Sequence, residues 1–304
     1  MSPAGNEMES DPQETCSGPN NQSRRMQVAI VAHRRTSTNL ALTRARPGLR
    51  ILEPAIAARM LGEGDVAIGR LDVAESLDGI ETGLWELARL EGAGVHVLNR
   101  SGTLVAAHDK LATSRALWEA GVAHPRTAHV TAPTDSVPFD PPVVVKPRFG
   151  SWGLDVVLCQ DAAALRRHLV AVVDRPWFAS HGALVQELVP PRGHDIRLVI
   201  AGGSVVGAIK RVAAPGEWRT NVALGAVREP VEPSSGACEL AIRAAAAVEG
   251  DLVGVDLLPG RDGECVVIEI NGAVEFNAAY SLHGADVFRR TVAALLPDPV
   301  VAVA

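Results

Sequence analysis

The sequence predicts a mixed α/β (α+β) protein, in which an open α/β domain precedes a region of antiparallel strands and helices. Two patterns predict this arrangement. Up to Asn99, short apolar strand-like runs alternate with helix-like segments, which is typical of an open sheet covered by helices. From Ala183 onward the chain consists mainly of strand-like runs, and it includes a predicted β-hairpin over 254–271.

The signals of the first part can be assigned in chain order. They predict a buried strand over 27–33, a helix over 51–64, a strand over 65–73, a capped helix and a strand within 76–99, and a helix over 106–121. The last helix should stop at Gly121, with Pro125 just beyond it. The first 25 residues are polar and have no apolar run, so they predict a disordered leader and not a signal peptide.

The second part begins after a linker at 133–142 that contains proline and aspartate. Its signals predict a strand over 143–147, a glycine turn, a strand over 154–159, a helix over 161–173, strands over 183–189, 195–202 and 204–212, a helix over 234–250 and the hairpin. We therefore divide the chain into a leader (1–25), an N-terminal α/β domain (26–107), a small central subdomain (108–182) and a C-terminal sheet subdomain (183–304).

Composition argues against several classes of protein. The net charge of −6 leaves no basic excess for nucleic-acid phosphates. No apolar run approaches the roughly 20 residues that span a bilayer. The four cysteines are scattered without Cys-x-x-Cys spacing, which favours reduced thiols in a cytoplasmic protein over disulfides or zinc. We also expect a homo-oligomer, a dimer or a tetramer, although no residue pattern specifies which.

The predicted hairpin carries two like charges that face each other. Asp262-Gly263 favours a two-residue turn, since both positions tolerate a positive φ. Counting outward from that turn places Asp256 opposite Glu269, with Asn271 on the same face. A longer loop that includes Pro259-Gly260 would shift this register by one residue. The other face receives the apolar side chains of Val255, Leu257, Ile268 and Ile270. Facing carboxylates cost stability unless a cation lies between them.

Basic and polar residues elsewhere could serve the same site. Lys146 ends an apolar strand, where an unpaired ammonium is costly to bury. The glycine turn after it offers N–H groups to an anion, although such turns are more often plain hairpin connections. Lys110, taken alone, is typical of a solvated helix residue. The charged residues of 194–221 are, by themselves, as consistent with a surface ion-pair network as with a site.

Together these features predict a magnesium–nucleotide site. Two carboxylates and an amide oxygen are hard oxygen donors, which suit Mg²⁺ because this ion takes few protein ligands and keeps the substrate's phosphates. The lysines and arginines would neutralise the same triphosphate. The metal would then compensate the facing carboxylates of the hairpin.

The ordered motifs resemble the RimK-like ATP-grasp ligases of the glutathione-synthetase fold group. The motifs are "HDK", "VVVKPRFGSWG", "VQELV", "HDIR", "AIKR", "EWRTN", "GVDLL" and "VIEIN". The likeness runs from Val28 to the C-terminal region and implies an ATP-grasp fold with a small central lid subdomain. It implies ATP and Mg²⁺ (or Mn²⁺) as cofactors, two metal ions, and amide formation through an acyl phosphate.

The resemblance also implies a role for each motif residue. The residues expected at the nucleotide are Lys110 and Lys146 on the phosphates, Ser151 and Gly153 in a mobile lid, Gln186, Glu187, Leu188 and Val189 in the adenine hinge, Asp195 on the ribose, and Lys210 and Thr220. The residues expected at the triphosphate and the developing acyl charge are Arg211, Arg219 and Asn221. The residues expected to hold the two ions are Asp256, Glu269, which would bridge them, and Asn271.

Glu275-Phe276-Asn277, together with "GSWG", resembles the LysX branch of this family. That branch joins an amino acid to the C-terminal glutamate of a small acidic carrier protein. The His-Thr-Met expected after Asn271 is replaced by Gly272-Ala273-Val274, which leaves both the amino acid, glutamate or aminoadipate, and the carrier open. A capped helix start with a core aromatic is an equal interpretation of Glu275 and Phe276.

Three alternatives remain at this stage. The first is a small-molecule dipeptide or natural-product ligase, which would need two free substrates and no carrier. The second is a kinase that releases an acyl phosphate without an amine. The third is a nucleotide-binding regulatory protein that has kept the fold without catalysis. We expect the N-terminal domain, including His33-Arg34-Arg35, to help select the substrate.

Overall fold

The computed structural model of the protein describes residues 25–72, 83–260 and 263–296. The predicted leader lies outside these ranges except for Arg25, and so do the predicted helix start at 76 and Asp262 of the predicted hairpin turn. Among the described residues, no helix is long and apolar enough to cross a membrane.

An open parallel sheet forms the N-terminal part, with strand order β2-β1-β3-β4. Its elements are β1 (Val28–Val31), α1 (Ser37–Ala45), β2 (Arg50–Leu52), α2 (Pro54–Met60), β3 (Val66–Gly69), α3 (Leu84–Gly92), β4 (His96–Leu98) and α4 (Ser101–His108). The central strands are short and almost wholly apolar because helices cover the sheet, as in other parallel sheets. The predicted open α/β sheet is therefore confirmed.

Two predicted helices differ from those observed. The segment predicted as a helix over 51–64 starts as β2, and α2 begins only at Pro54, which fits the first turn of a helix because it needs no N–H donor there. The helix predicted over 106–121 is interrupted at Asp109, whose backbone is extended. The Asp109 carboxylate accepts hydrogen bonds from the N–H groups of Leu111 and Ala112, so a new helix starts at Lys110.

The central part is an antiparallel sheet of order β5-β8-β6-β7. Its elements are α5 (Lys110–Glu119), β5 (Thr127–Val130), β6 (Val143–Pro147), β7 (Val157–Cys159), α6 (Ala162–Val172), α7 (Pro176–His181) and β8 (Ala183–Glu187). The proposed boundary at 182 falls just before β8, which is hydrogen-bonded to β5 and β6. The division of the chain into subdomains stays a prediction.

The C-terminal part is an antiparallel sheet of order β11-β10-β9-β12-β13. Its elements are β9 (His194–Ala201), β10 (Ser204–Val212), β11 (Val227–Glu229), α8 (Ser235–Ala247), β12 (Leu252–Pro259), β13 (Cys265–Asn271) and α9 (Val287–Leu295), with short 3-10 turns at Val222–Leu224 and Ala278–Tyr280. The sequence patterns did not predict α1, α7, α9, β5 or β11.

Side-chain alternation divides the C-terminal sheet into two faces. On β9, Leu198 and Ile200 pack into a core with α8, whereas Val199 and Ala201 pack into the core shared with the N-terminal sheet. Asp195 and Arg197 lie at the other end of β9, on the same face as Val199. One sheet face is therefore apolar at one end and charged at the other.

The hairpin confirms the facing carboxylates but corrects the register near its turn. Asp256 pairs with Glu269, and Leu257 pairs with Val267, so Ile268 is an extra residue in a β-bulge. Val267 is therefore 1% exposed and packs in the core, whereas Ile268, predicted to lie there, lines a cavity.

Candidate active site

A single cavity brings together most of the residues that the sequence motifs selected. It lies among the central sheet, the turn after β6 and the charged end of the C-terminal sheet. The predicted residues that line it are Lys110, Lys146, Ser151, Gly153, Gln186, Glu187, Leu188, Val189, Asp195, Arg211, Arg219, Thr220, Asn221, Asp256 and Glu269. These positions are spread over 160 residues of sequence, so their convergence is a property of the tertiary fold.

Asp256 lies at the centre of a buried network of alternating charges. Arg197 donates to both of its carboxylate oxygens, at 2.6 and 2.7 Å, and Arg211 donates to Oδ2 at 2.8 Å. Burial opposes ionisation of Asp256, but the charges of Arg197 and Arg211 outweigh it and hold its pKa at about 2. Asp256 is therefore an anion at neutral pH.

Arg211 links this carboxylate to a second one. Its guanidinium donates to both oxygens of Asp195, with Nε to Oδ1 at 2.7 Å, and the Thr220 hydroxyl donates to Asp195 Oδ2 at 2.5 Å. Asp195, Arg211 and Asp256 are all nearly fully buried. A buried arginine between two carboxylates is held rigidly, because any other position would leave charges unpaired.

Glu269 differs from Asp256 in its surroundings. Its side chain is 28% exposed, and the Lys110 ammonium lies 3.5 Å from Oε1. Lys110 also donates to the carbonyl of Gly150 at 2.5 Å, so it bridges the hairpin and the glycine turn. The free lone pairs of Glu269 face the cavity and are available to a cation.

Lys146 is a buried base of the cavity with a strongly lowered pKa. Its side chain comes from the end of β6 and is only 7% exposed. Burial, and then the charge of Lys110, lower its pKa to about 8, while Glu269 opposes the shift. A shifted lysine that faces a cavity is a candidate ligand for an anion.

We expect the affinity of the free enzyme for Mg·ATP to fall by about tenfold between pH 7 and pH 9, because Lys146 is an ammonium below about pH 8 and neutral above it. Lys146→Arg should flatten this dependence, since a guanidinium stays charged throughout the range. Isothermal titration calorimetry of both proteins at both pH values measures the affinity for Mg·ATP. Equal pH slopes in the two proteins would assign the titration to another group.

The turn after β6 has an unusual backbone. Gly150, Trp152 and Gly153 all have positive φ, and the indole of Trp152 is 69% exposed at the rim of the cavity. A Cβ at Gly153 would come within 2.6 Å of Asn221 Oδ1, so only glycine allows this close approach. The turn therefore packs directly on the loop that carries Arg219 and Asn221.

The predicted hinge residues lie at the edge of the cavity. The N–H groups of Glu187 and Leu188 already donate to Arg126 and Pro142 carbonyls, at 2.9 and 3.3 Å. The Gln186 side chain donates to Thr127 at 2.9 Å.

Two predicted residues are not among those that line the cavity. Lys210 neighbours Arg211 on β10 and therefore points to the opposite face, where it pairs with Glu229 at 2.9 Å. Asn271 lies two pairs beyond Glu269, opposite Gly254, and its amide nitrogen is buried without a hydrogen-bond partner among the described residues.

Sequence reasoning missed two charged residues of the site. Arg197 lies in the motif "HDIR" but was given no role, and its pairing with Asp256 across β9 and β12 needed the sheet order. Glu217, which holds Arg219, lies in the motif "EWRTN" but was given no role, because a single glutamate in a Pro-Gly loop is typical of a solvated surface.

The segment after Asn271 docks on the N-terminal sheet. Glu275 accepts hydrogen bonds from Thr36 at 2.9 Å, Thr38 at 2.6 Å and the buried Arg70 at 2.8 Å. Phe276 is a core aromatic, stacked on Phe288 at 5.3 Å between ring centroids. Glu275 starts no helix, since the next helical residues begin at Ala278 after an Asn277 cap.

The donor set suits Mg²⁺. No group of three or more His, Cys, Asp and Glu side chains that could hold a metal occurs within 25–72, 83–260 and 263–296. The hairpin therefore offers two carboxylates, and Mg²⁺ commonly binds through one or two carboxylates together with substrate phosphates. Arg197 and Arg211 use three of the roughly four lone-pair positions of Asp256, which leaves one for a cation.

Facing carboxylates on the C-terminal sheet lie beside Lys110 of α5, and beside Lys146 and the glycine turn of the central sheet, an arrangement that suits Mg²⁺ and a nucleotide. Residues 107–295 match the family described as the RimK-like ATP-grasp domain, and the chain belongs to this family. It is 31% identical over 219 residues to glutamate–LysW ligase ArgX of Sulfurisphaera tokodaii, covering 69% of this chain and 76% of that protein. It is 32% identical over 207 residues to a probable alpha-L-glutamate ligase of Xanthomonas axonopodis, covering 66% of this chain and 68% of that protein.

Solved structures confirm the fold. A RimK-domain ATP-grasp protein of Sphaerobacter thermophilus superposes with a TM-score of 0.62 at 23% identity, over 89% of this chain and 99% of that one. D-alanine–D-alanine ligase of Bacillus anthracis gives a TM-score of 0.59 at 17% identity, over 89% of this chain and 96% of that one. The chain has the ATP-grasp fold, and it is an ATP-dependent, ADP-forming ligase that joins a carboxylate to an amino-acid amine.

Proposed function

We propose that the enzyme adds glutamate or aminoadipate to the terminal carboxylate of a small acidic carrier protein. The likeness to glutamate–LysW ligase ArgX supports glutamate as the amino acid and a LysW-type protein as the acceptor. The observation that carries the chemistry is the pairing of Asp256 with Glu269 beside Lys110 and Lys146. A cytoplasmic location, suggested by the scattered cysteines, and a dimeric or tetrameric assembly are part of the same proposal.

In the proposed reaction, Asp256 and Glu269 would hold the Mg²⁺ ions, two in number, with Asn271 beside them. Bound Mg²⁺ neutralises and orients the β- and γ-phosphates of ATP. Lys110 and Lys146 contact the phosphates from the central sheet. The carboxylate substrate attacks the γ-phosphate to give an acyl phosphate and ADP, and the amine then displaces phosphate to form the amide.

The arginines stabilise the charge that develops during both steps. Arg211 is fixed between two carboxylates, so it needs no reorganisation when the transferred phosphoryl group gains charge. Arg219 and Asn221 approach from the loop below the glycine turn. Asp195 can accept a ribose hydroxyl with the one lone-pair position that Arg211 and Thr220 leave.

The test is ADP release with Mg·ATP and pooled amino acids, with and without a LysW-type carrier, followed by mass spectrometry of the products. We expect ADP only when the carrier is present, and a carrier heavier by one or more glutamate or aminoadipate residues. A new amide formed from free amino acids alone would identify a small-molecule ligase. ADP release without any amine would identify a kinase, and ATP binding without turnover under every condition would favour a regulatory protein.

A further inference from the structure

Arg219 is held on two sides in this structure. Its Nε and Nη2 donate to the two carboxylate oxygens of Glu217, at 3.0 and 2.8 Å. Its Nη1 donates to the carbonyls of Gly153 at 3.0 Å and Val156 at 3.4 Å. The guanidinium therefore connects its own loop to the far end of the glycine turn, which we call the lid turn (residues 150–156).

The geometry leaves one donor of Arg219 for a ligand. A guanidinium has five N–H groups, and Glu217, Gly153 and Val156 accept from four of them in the part of the chain that the structure describes. The remaining N–H lies on Nη2, and Arg219 lines the cavity. The same side chain can thus hold the lid turn and reach an anion in the cavity.

Glu217 is itself immobilised. Its Oε1 accepts hydrogen bonds from the backbone N–H groups of Trp218 and Arg219, both at 2.9 Å. The hydrogen bonds from the Arg219 side chain and backbone lower the pKa of Glu217 to about 2. Glu217 is therefore ionised at any pH at which the enzyme would be assayed. It binds Arg219 through two parallel charge-assisted hydrogen bonds, the geometry that fixes an arginine best.

We propose that Glu217 is a positioning residue that acts through Arg219: it fixes the guanidinium so that the lid turn stays down over the cavity while one N–H faces the phosphates. The expected effect of Glu217 on catalysis rests on the proposed function. Its effect on the position of Arg219 and of the lid turn does not. No ligand contact is assigned to Glu217. Its effect is to set where Arg219 lies before the nucleotide binds.

The first experiment compares Glu217→Gln with the wild type. Glutamine keeps the size of the side chain but loses the charge and one of the two acceptors. We expect kcat to fall by about 10- to 100-fold, because small misplacements of a charge-stabilising group cost roughly this much, with the KM for ATP changed by less than about threefold. Glu217→Asp should recover part of the loss. Glu119→Gln, which breaks an exposed ion pair with Arg115, is the matched control and should change neither value.

A double-mutant cycle tests whether Glu217 acts through Arg219. In an Arg219→Lys background, adding Glu217→Gln should lower kcat by less than about twofold, because the geometry that Glu217 maintains is already lost. Independent, multiplicative losses would show that Glu217 acts elsewhere, and they would overturn the proposal. A raised KM for ATP with unchanged kcat would overturn it as well.

Amide hydrogen exchange of the nucleotide-free protein tests the lid contact without any turnover. Residues 150–156 should exchange faster in Glu217→Gln and in Arg219→Lys than in the wild type or Glu119→Gln. Exchange that is unchanged in Glu217→Gln would overturn the proposal. If instead the wild type forms no ADP while the lid exchange changes as expected, the proposed function fails and the positioning role stands.

Discussion

Glu269→Gln is expected to abolish ADP formation, a loss of about a thousandfold or more, while leaving the stability of the protein nearly unchanged. Metal-held charge stabilisation in phosphoryl transfer is worth several kcal/mol, and each 1.4 kcal/mol is about tenfold in rate. Glu269 is partly exposed and lies 3.5 Å from Lys110, and it also offsets the burial of the Lys146 ammonium. Because the pKa of Lys146 is only about 8, this side chain can lose its proton at little cost in the variant, which keeps the loss of stability small. ADP release at saturating Mg·ATP measures the activity, and urea unfolding measures the stability.

Asp256→Asn should abolish ADP formation too, but it should also destabilise the fold, since Arg197 and Arg211 lose the carboxylate they share. Glu239→Gln, on the exposed face of α8, is the matched control for a lost carboxylate and should behave as the wild type. Unchanged turnover in both Glu269→Gln and Asp256→Asn would contradict the metal assignment. Loss of activity in Glu239→Gln would show that the assay reports on something other than the site.

Arg211→Met is expected to lower the free energy of unfolding by about 3–5 kcal/mol, the usual cost of removing one partner from a buried ion pair. The substitution leaves the Asp195 carboxylate buried with Thr220 as its remaining side-chain donor, and it removes one of the two arginines that keep Asp256 ionised. Methionine is similar in length, so lost packing contributes little. Urea unfolding at neutral pH measures the change.

Arg115→Met provides the control for Arg211→Met, because Arg115 is 78% exposed and pairs with Glu119 one helical turn away. Exposed pairs of this kind contribute little to stability, so its urea midpoint should match that of the wild type. If Arg211→Met also unfolds at the wild-type midpoint, the buried charges do not stabilise the folded state as their geometry indicates.

The hairpin shows how far local sequence reasoning extends. The prediction that Asp256 faces Glu269 is confirmed, although the assumed register is shifted by one residue on the turn side. The bulge at Ile268 accounts for this difference. A bulge depends on what each side chain meets in the folded protein, here the cavity for Ile268 and the core for Val267, and counting from the turn cannot show that.

Among the basic residues, local sequence reasoning was also right for some and wrong for others. Lys146 stood out because an ammonium ends an apolar strand, and it lines the cavity. Lys210 was grouped with Arg211 because the two are adjacent in sequence, yet adjacent residues of a strand lie on opposite faces. Arg197 and Glu217 were missed as site residues. The partner of Arg197 lies on another strand, which no local pattern identifies, whereas Glu217 pairs with Arg219 only two residues away and was given no role within their shared motif.

The sequence by itself determined the open α/β sheet, the strands that carry the site, and the facing carboxylates. These features follow from the periods of side-chain exposure and from turn chemistry, which are local. The tertiary structure alone decided that β8 joins the central sheet, that Arg211 bridges to Asp256 across 45 residues, and that Arg219 reaches the lid turn across 66. Such contacts depend on strand order and on close approach of separate segments, and a local window of sequence contains no information about either.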